Sequence, residues 1–195
     1  MQNRRHFIKT TLTGSALLAM PLGANAFFKS APQRLVLLHT NDLHSHIDPF
    51  PENDGRYPGM GGFAPRAALI SKIRKENNHV LLLDSGDIFQ GTPYFNFYEG
   101  SLELKLMSKM NYDASTLGNH EFDNGIESLS RQLQHASFPF INSNYDFTGT
   151  LLQGKILPSK VFEKGSIRVG IIGLGLDPKG LIAGSNYDGL VYNDP

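Results

Sequence analysis

The sequence has no cysteine among its 195 residues. Without cysteine the chain can form no disulfide, hold no zinc ion through thiolates and use no cysteine nucleophile. Any metal ion must be bound by histidine, carboxylate, amide or backbone oxygen groups. That donor set suits Mn, Mg, Ca, Fe or Zn ions.

The chain also lacks internal repeats, low-complexity tracts and long runs of like charge. With 40% hydrophobic and 18% charged residues, it has the composition of an ordinary globular protein of one domain or slightly more. The sequence has no Gly-x-Ser-x-Gly motif, so a serine hydrolase has no support. Gly173-x-Gly175 follows a predicted strand, but Pro178 stands where the dinucleotide-binding fingerprint requires Gly or Ala.

The formal net charge of zero conceals an asymmetry along the chain. Residues 1–26 contain three basic residues and no acidic one, which leaves 15 basic against 18 acidic residues in the remainder. A nucleic-acid-binding surface needs an excess of basic side chains. We therefore expect no binding to a nucleic-acid polymer.

Residues 1–26 have the pattern of an export signal. Arg4 and Arg5 form a basic start, residues 12–22 form an apolar run, and Ala24-Asn25-Ala26 fits a cleavage site. The apolar run is too short for a comfortable membrane span, so we expect none after signal removal. The arginine pair resembles a twin-arginine signal, whose export machinery carries folded proteins; an ordinary secretory signal is the alternative. We expect an exported, periplasmic protein whose mature part covers residues 27–195.

Short apolar runs alternate with segments of helical spacing along the rest of the chain. Continuous apolar runs are typical of strands buried on both faces, and strand-helix alternation favours a mostly parallel sheet with helices on its faces. The predicted strands are 35–38, 80–83, 113–117 and 138–141, with a strand pair at 160–164 and 166–173. The predicted helices are 63–75, 102–110 and 126–135. We expect the aromatic, glycine-punctuated segment 88–100 to line a cavity or to pack beneath the loops.

Polar motifs follow three of the predicted strands. They are Asn41-Asp42-Leu43-His44, Ser85-Gly86-Asp87 and the segment from Gly118 to Asp123. The ends of strands in one sheet converge in space, and ligands bind there in α/β proteins. We therefore predict that the three motifs form a single site.

The residue types in these motifs suit a pair of metal ions. Asp42 and His44 can reach one cation, and Asp87 can bridge it to a second. Asn119 can reach the second cation through its amide oxygen. Two cations about 3.5–4 Å apart can clamp a phosphoryl group and lower the pKa of bound water towards about 7.

His120 and Asp123 are candidate catalytic residues, because an Asp three residues after a His can orient the imidazole as a proton donor. The alternative for this stretch is a polar turn. In such a turn Gly118 and Asn119 adopt positive φ, Asp123 caps the following helix, and Glu121 faces solvent. The other two motifs favour a functional site.

Other polar residues near the strand ends have a structural as well as a functional interpretation. His39 and His46 either support the site from outside or are hydrogen-bonded structural residues. Asp48, Asp84 and Asp113 are interpreted as caps or turn residues and are left out of the predicted site.

The three motifs resemble the first three motifs of the calcineurin-like metallophosphoesterases. They read Asn41-Asp42-x-His44, Gly86-Asp87 and Gly118-Asn119-His120-Glu121-x-Asp123. The longer segments 38–42 and 118–125, which overlap the first and third motifs, are similar in sequence to the 5′-nucleotidase branch of that family. The resemblance covers roughly residues 35–175.

The resemblance implies an α/β four-layer sandwich, in which two β-sheets are flanked by helices. It also implies hydrolysis of phosphate esters of nucleotides with two divalent metal ions. Phosphodiesterases that open 2′,3′-cyclic nucleotides use the same metals and remain an alternative.

The resemblance further assigns roles to individual residues. Asp42 and His44 would hold metal one, Asp87 would bridge the two ions, and Asn119 would hold metal two. In that family a metal-bound hydroxide attacks phosphorus while His120, assisted by Asp123, stabilises and protonates the leaving group.

The chain departs from the family pattern towards its C-terminus. Later family motifs supply a further His and a Gly-His-x-(His/Gln) loop, followed by a substrate-binding domain, whereas no histidine follows His135 in this sequence. Metal two would keep only Asp87 and Asn119. We therefore expect the N-terminal portion of a catalytic domain, with an uncovered sheet face or edge, poor solubility, weak metal affinity and little or no activity by itself. The alternative is a non-catalytic remnant that binds metal or phosphate.

Overall fold

A computed structural model describes residues 33–195, so the predicted export signal at 1–26 lies outside the described residues. The largest element of the described part is a five-stranded sheet. In spatial order its strands are β1 (Val36–Thr40), β2 (Val80–Asp84), β3 (Ala114–Ser115), β4 (Phe140–Ile141) and β6 (Ile156–Leu157). Every neighbouring pair is parallel. The prediction of a parallel sheet is therefore confirmed.

Helices connect the strands of this sheet. They are α1 (Phe63–Glu76), α2 (Pro93–Tyr98), α3 (Ser101–Lys109) and α4 (Gly125–Gln132). Within the described residues, 3₁₀ turns occupy 120–122, 133–135 and 184–187. The helix predicted at 126–135 therefore ends in a 3₁₀ turn. The aromatic segment 88–100 contains α2, whose six residues are too few to show a helical repeat in the sequence.

The centre of the sheet is buried because β2 lies between β1 and β3. Leu81 and Leu82 are almost fully shielded from solvent, as the continuous apolar run predicts. Leu82 belongs to a core cluster with Ile70 of α1 and Leu104 and Met107 of α3. This packing fixes the carboxyl ends of the strands, where the polar motifs begin.

Two antiparallel units accompany the parallel sheet. β7 (Ser159–Lys164) pairs with β8 (Ile167–Ile172), which confirms the predicted strand pair, and β5 (Tyr145–Asp146) pairs with β9 (Val191–Tyr192). Asp113 links the β7–β8 hairpin to the parallel sheet. Its carboxylate accepts hydrogen bonds from the Leu82 N–H at 2.8 Å and from Lys164 Nζ at 2.6 Å. Asp113 is therefore an anchor between elements rather than a simple cap.

The predicted fold class, α/β with a parallel sheet and helices, is confirmed. Some apolar side chains of the sheet units remain exposed: Leu37 on the edge strand β1 is 59% exposed and Ile172 on β8 is 66% exposed. These two side chains leave apolar area of the sheets in contact with solvent. None of the helices in residues 33–195 has the length and apolar character needed to cross a membrane.

Candidate metal centre

The carboxyl ends of β1 and β2 carry the first two motifs to the same edge of the sheet. Thr40 and Asp84 are paired where these strands end. Backbone hydrogen bonds of 2.9–3.0 Å continue beyond the strands, from the amides of Asp42, His44 and Ser45 to the carbonyls of Gly86, Asp87 and Ile88 respectively. The two loops therefore leave the sheet side by side.

Asp42, His44 and Asp87 each bring one potential ligand atom to within 4.8 Å of the others. Nε2 of His44 lies 3.6 Å from Oδ1 of Asp42. Asp42 is exposed and the other two side chains are half-buried, so the cluster is open to solvent at the sheet edge. The structure thus brings these three predicted residues together.

The same three residues have a left-handed backbone. The angle φ is 52° at Asp42, 45° at His44 and 54° at Asp87. Such conformations cost non-glycine residues about 1–3 kcal/mol each and concentrate at functional sites. The hydrogen bonds between the two loops offset this cost and hold the three side chains towards one another.

The third motif reaches this cluster through close backbone contacts. The N–H of His120 donates to Oδ1 of Asp87 at 3.0 Å. A Cβ added to Gly118 would overlap the Asp87 carboxylate, and one added to Gly86 would overlap the backbone of Gly118. Asn119 lies between Gly118 and His120 in the chain, and both of these neighbours approach Asp87 closely.

His120 and Asp123 are also in contact, with 2.8 Å between Nδ1 and Oδ2. The His120 ring meets the His44 ring edge to face, with 5.1 Å between the centroids. Burial lowers the pKa of His120, but the hydrogen bond and charge of Asp123 raise it. The charges of Asp87 and Glu121 act in the same direction, and the net shift is above the ordinary value of 6.5. Asp123 therefore orients the ring and favours its protonated form.

Glu121 is only 2% exposed, so the interpretation that it faces solvent is wrong. One carboxylate oxygen accepts hydrogen bonds from the N–H groups of Gly118 at 2.6 Å and Asp87 at 3.0 Å. The other accepts from Ile88 at 2.7 Å and Phe89 at 3.3 Å. Burial raises the pKa of Glu121 to about 7, although the backbone donors oppose this shift.

Asp84, which the sequence suggests is a turn residue, is 4% exposed beneath the site. Its carboxylate accepts the Gly86 N–H of its own turn at 2.9 Å. It also accepts the hydroxyls of Thr40 on β1 at 2.6 Å and Ser115 on β3 at 2.9 Å. Burial raises the pKa of Asp84 to about 6. Asp84 is therefore a buried link among three strands. Its position at the end of a buried strand is the feature of the sequence from which this burial could have been predicted.

The remaining polar residues near the strand ends have structural surroundings. His39 is exposed on the edge strand β1, and the His46 ring packs against Phe50 with 4.6 Å between centroids. Asp48 accepts a hydrogen bond from the Tyr94 hydroxyl at 2.6 Å. These contacts favour the structural interpretation of His46 and Asp48.

The donor set of the cluster fits a divalent cation. Two carboxylates and an imidazole offer oxygen and nitrogen atoms, which suit Mg, Ca, Mn, Fe or Zn. The mutual distances of up to 4.8 Å allow the three groups to share one ion. Asp42, His44 and Asp87 are therefore able to hold a metal together.

A protein-family model described as calcineurin-like phosphoesterase matches residues 35–180. The chain belongs to the calcineurin-like phosphoesterase family. Relatives within this family confirm the resemblance to 5′-nucleotidases. A snake venom 5′-nucleotidase of Crotalus adamanteus is 44% identical over an alignment of 146 positions, and the match covers 71% of this chain and 25% of the relative.

Solved structures of the family have the same fold. A 5′-nucleotidase precursor from Thermus thermophilus has a TM-score of 0.73 and 37% identity, covering 83% of this chain and 32% of that one. The NAD nucleotidase of Haemophilus influenzae has a TM-score of 0.72 and 31% identity, covering 82% of this chain and 29% of its own. This calcineurin-like phosphoesterase chain thus spans about a quarter to a third of the length of these relatives.

Proposed function

We propose that this chain provides the metal-binding part of an exported hydrolase that cleaves phosphate esters of nucleotides. One observation carries the proposal: ligand atoms of Asp42, His44 and Asp87 lie within 4.8 Å of one another beside the His120–Asp123 pair. A group of metal-binding side chains next to a histidine that is hydrogen-bonded to a carboxylate suits transfer of a phosphoryl group to water.

Two divalent metal ions are the proposed cofactors. Asp42 and His44 would hold one ion, Asp87 both ions, and Asn119 the second. When bound, the ions would neutralise charge on the phosphate and activate a water molecule. The backbone contacts of Asp87 with both neighbouring loops support its central position in this assignment.

His120 would donate a proton to the leaving oxygen of the ester. Its Nδ1 faces Asp123, so Nε2 is the nitrogen available to a substrate. The raised pKa of His120 increases the protonated fraction of the ring near neutral pH. Asp123 would keep the ring in one orientation and stabilise the imidazolium form.

Nucleoside 5′-monophosphates are the proposed substrate class. The relatives named as 5′-nucleotidases, at 37–44% identity, support this choice. The 31% identical NAD nucleotidase makes nucleotides joined through a pyrophosphate a related possibility to assay. The competing hypotheses are hydrolysis of 2′,3′-cyclic nucleotides and a remnant that binds metal or phosphate without catalysis.

Metal binding is the first test of the proposal. Titration of the chain with Mn²⁺ should reveal binding, and Asp87→Asn should weaken it by at least about tenfold because this carboxylate would contact both ions. His120→Asn should bind Mn²⁺ like the wild type, since the histidine is assigned to proton transfer. Equal affinity of wild type and Asp87→Asn would contradict the metal assignment.

Hydrolysis is the second test and uses the complete product of the gene. We expect phosphate release from adenosine 5′-monophosphate that Asp87→Asn nearly abolishes. His120→Asn should lower turnover by about 10²–10⁴-fold with unchanged metal content. Turnover of a 2′,3′-cyclic nucleotide alone would support the phosphodiesterase hypothesis, and metal binding without any turnover would support the remnant.

A further inference from the structure

Glu121 joins the two loops that carry Asp87 and Asn119. Its carboxylate accepts four backbone N–H groups, from Asp87, Ile88 and Phe89 on one loop and from Gly118 on the other. These donors replace the water that a carboxylate loses on burial, and hydrogen bonds to a charged acceptor are about twice as strong as neutral ones. The side chain therefore clamps the loops together.

Glu121 contacts the loops that carry the assigned metal ligands, but it is not itself assigned to a metal ion. Gly118 immediately precedes Asn119, and Asp87 is itself held in a left-handed conformation with φ of 54°. The N–H of His120 returns a hydrogen bond to the Asp87 carboxylate, so the two loops are linked in both directions. Loss of the Glu121 bonds would leave the strained backbone of Asp87 free to relax.

We propose that Glu121 is a positioning residue, which holds Asp87 and the Gly118–His120 segment at the separation that the metal ions require. This inference rests on the proposed function. Partners that orient metal ligands from behind typically change metal affinity by about 10–100-fold when mutated.

Glu121→Gln is the most informative substitution because it keeps the size of the side chain. The amide has one acceptor oxygen, so its NH₂ group would face backbone N–H donors that the carboxylate now satisfies. We expect the affinity of the chain for Mn²⁺ to fall by about 10–100-fold, measured by titration well below the unfolding temperature.

Asp113→Asn is the matched control. The Asp113 carboxylate also accepts a backbone N–H, from Leu82, and links elements through Lys164, but it lies outside the three motifs. We expect this variant to unfold at a lower temperature with unchanged Mn²⁺ affinity. Wild-type affinity in folded Glu121→Gln would overturn the proposal, as would an equal loss of affinity in Asp113→Asn.

A measurement on the wild type covers the case in which Glu121→Gln does not fold. The amides of Asp87, Ile88 and Gly118 should exchange with solvent as slowly as those of β2, because Glu121 binds them in the interior. Rapid exchange at these amides would overturn the clamp, and slow exchange would support it. The Asp87→Asn titration separates the two proposals: if Asp87→Asn loses Mn²⁺ and folded Glu121→Gln does not, only the positioning role of Glu121 is wrong.

Discussion

Two buried carboxylates, Asp84 and Glu121, lie close in sequence to the Asp42–His44–Asp87 cluster and its neighbouring loop. Asp84 and Glu121 have hydrogen-bond donors around them, mostly backbone N–H groups and hydroxyls. Donors of this kind compensate only part of the cost of removing a charge from water, so burial raises the pKa of both groups. The interior below the site is therefore sensitive to pH.

The substitution Asp84→Asn tests this sensitivity. The pKa of Asp84 rises from its ordinary value of 3.8 to about 6 on folding, so the folded protein binds this proton more tightly than the unfolded chain. The stability that the protonated Asp84 contributes is fully present below the pKa of this group in the unfolded chain. It is lost as the pH rises through the pKa of Asp84 in the folded protein. Relative to Asp84→Asn, the wild type should lose about 3 kcal/mol of unfolding free energy between about pH 3 and pH 7.

Urea denaturation at a series of pH values measures this difference, and Glu121 cancels because it is present in both proteins. Asn142→Ala serves as the control. Asn142 is buried at the end of β4 and accepts the Tyr145 N–H at 2.8 Å, but it carries no titratable group. The unfolding free energy of Asn142→Ala should differ from that of the wild type by the same amount at every pH. If the difference between Asp84→Asn and the wild type is also independent of pH, the prediction is wrong.

Residue types predicted the exposed part of the site better than the buried part. Asp42, His44 and Asp87 lie a few residues beyond apolar runs, and parallel strands bring such positions to one edge. The burial of Glu121 depends on the loop after β2 folding over it, which the sequence around 121 does not reveal. For this reason the polar-turn interpretation of the sequence placed Glu121 towards solvent.

At the scale of elements, the site depends on how closely two loops approach. Gly86 and Gly118 lie where any side chain would collide with the opposite loop. Gly118 is outside the left-handed region, so its lack of a side chain matters for space rather than for backbone freedom.

Gly118→Ala should therefore destabilise the chain by steric overlap with Asp87. Forcing extra atoms into a packed region typically costs about 1–3 kcal/mol of unfolding free energy. Gly170→Ala on β8 is the matched control, because its added Cβ would meet nothing within 4 Å. We expect that variant to stay within about 0.5 kcal/mol of the wild type in urea denaturation. Equal costs for the two substitutions would show that the loops can separate without penalty.

Element predictions succeeded where the sequence pattern was long. The helix predicted at 63–75 is α1 at Phe63–Glu76, and the strand pair beyond residue 159 is the β7–β8 hairpin. β3 pairs only over Ala114–Ser115, although the predicted strand covers 113–117, because the chain turns into the third motif. Strand length is thus set by the partner strands and loops, which a local pattern does not contain.

At the scale of the whole molecule, the family match covers residues 35–180, while the chain spans only about a quarter to a third of its relatives. The three polar motifs and the parallel sheet lie inside that part. Exposed apolar residues such as Leu37 and Ile172 lie on its surface and favour self-association.

The route of export is a prediction about the whole chain. Changing Arg4 and Arg5 together to Lys keeps the positive charge but removes the arginine pair. If the twin-arginine machinery exports the protein, the double variant should remain as precursor in the cytoplasm, measured by cell fractionation and immunoblotting. Lys9→Arg should be exported normally. Continued export of the double variant would identify an ordinary secretory signal.

The contacts of Glu121 also bear on which positions can vary. It binds its neighbours through main-chain amides, so the identities of residues 87–89 do not enter the interaction. Ile88 and Phe89 are almost completely shielded from solvent, and they should accept other large apolar residues in a randomised library. Position 121 has no comparable freedom. Engineers who wish to reshape this loop can therefore vary the side chains at 88 and 89 while keeping Asp87 and Glu121 fixed.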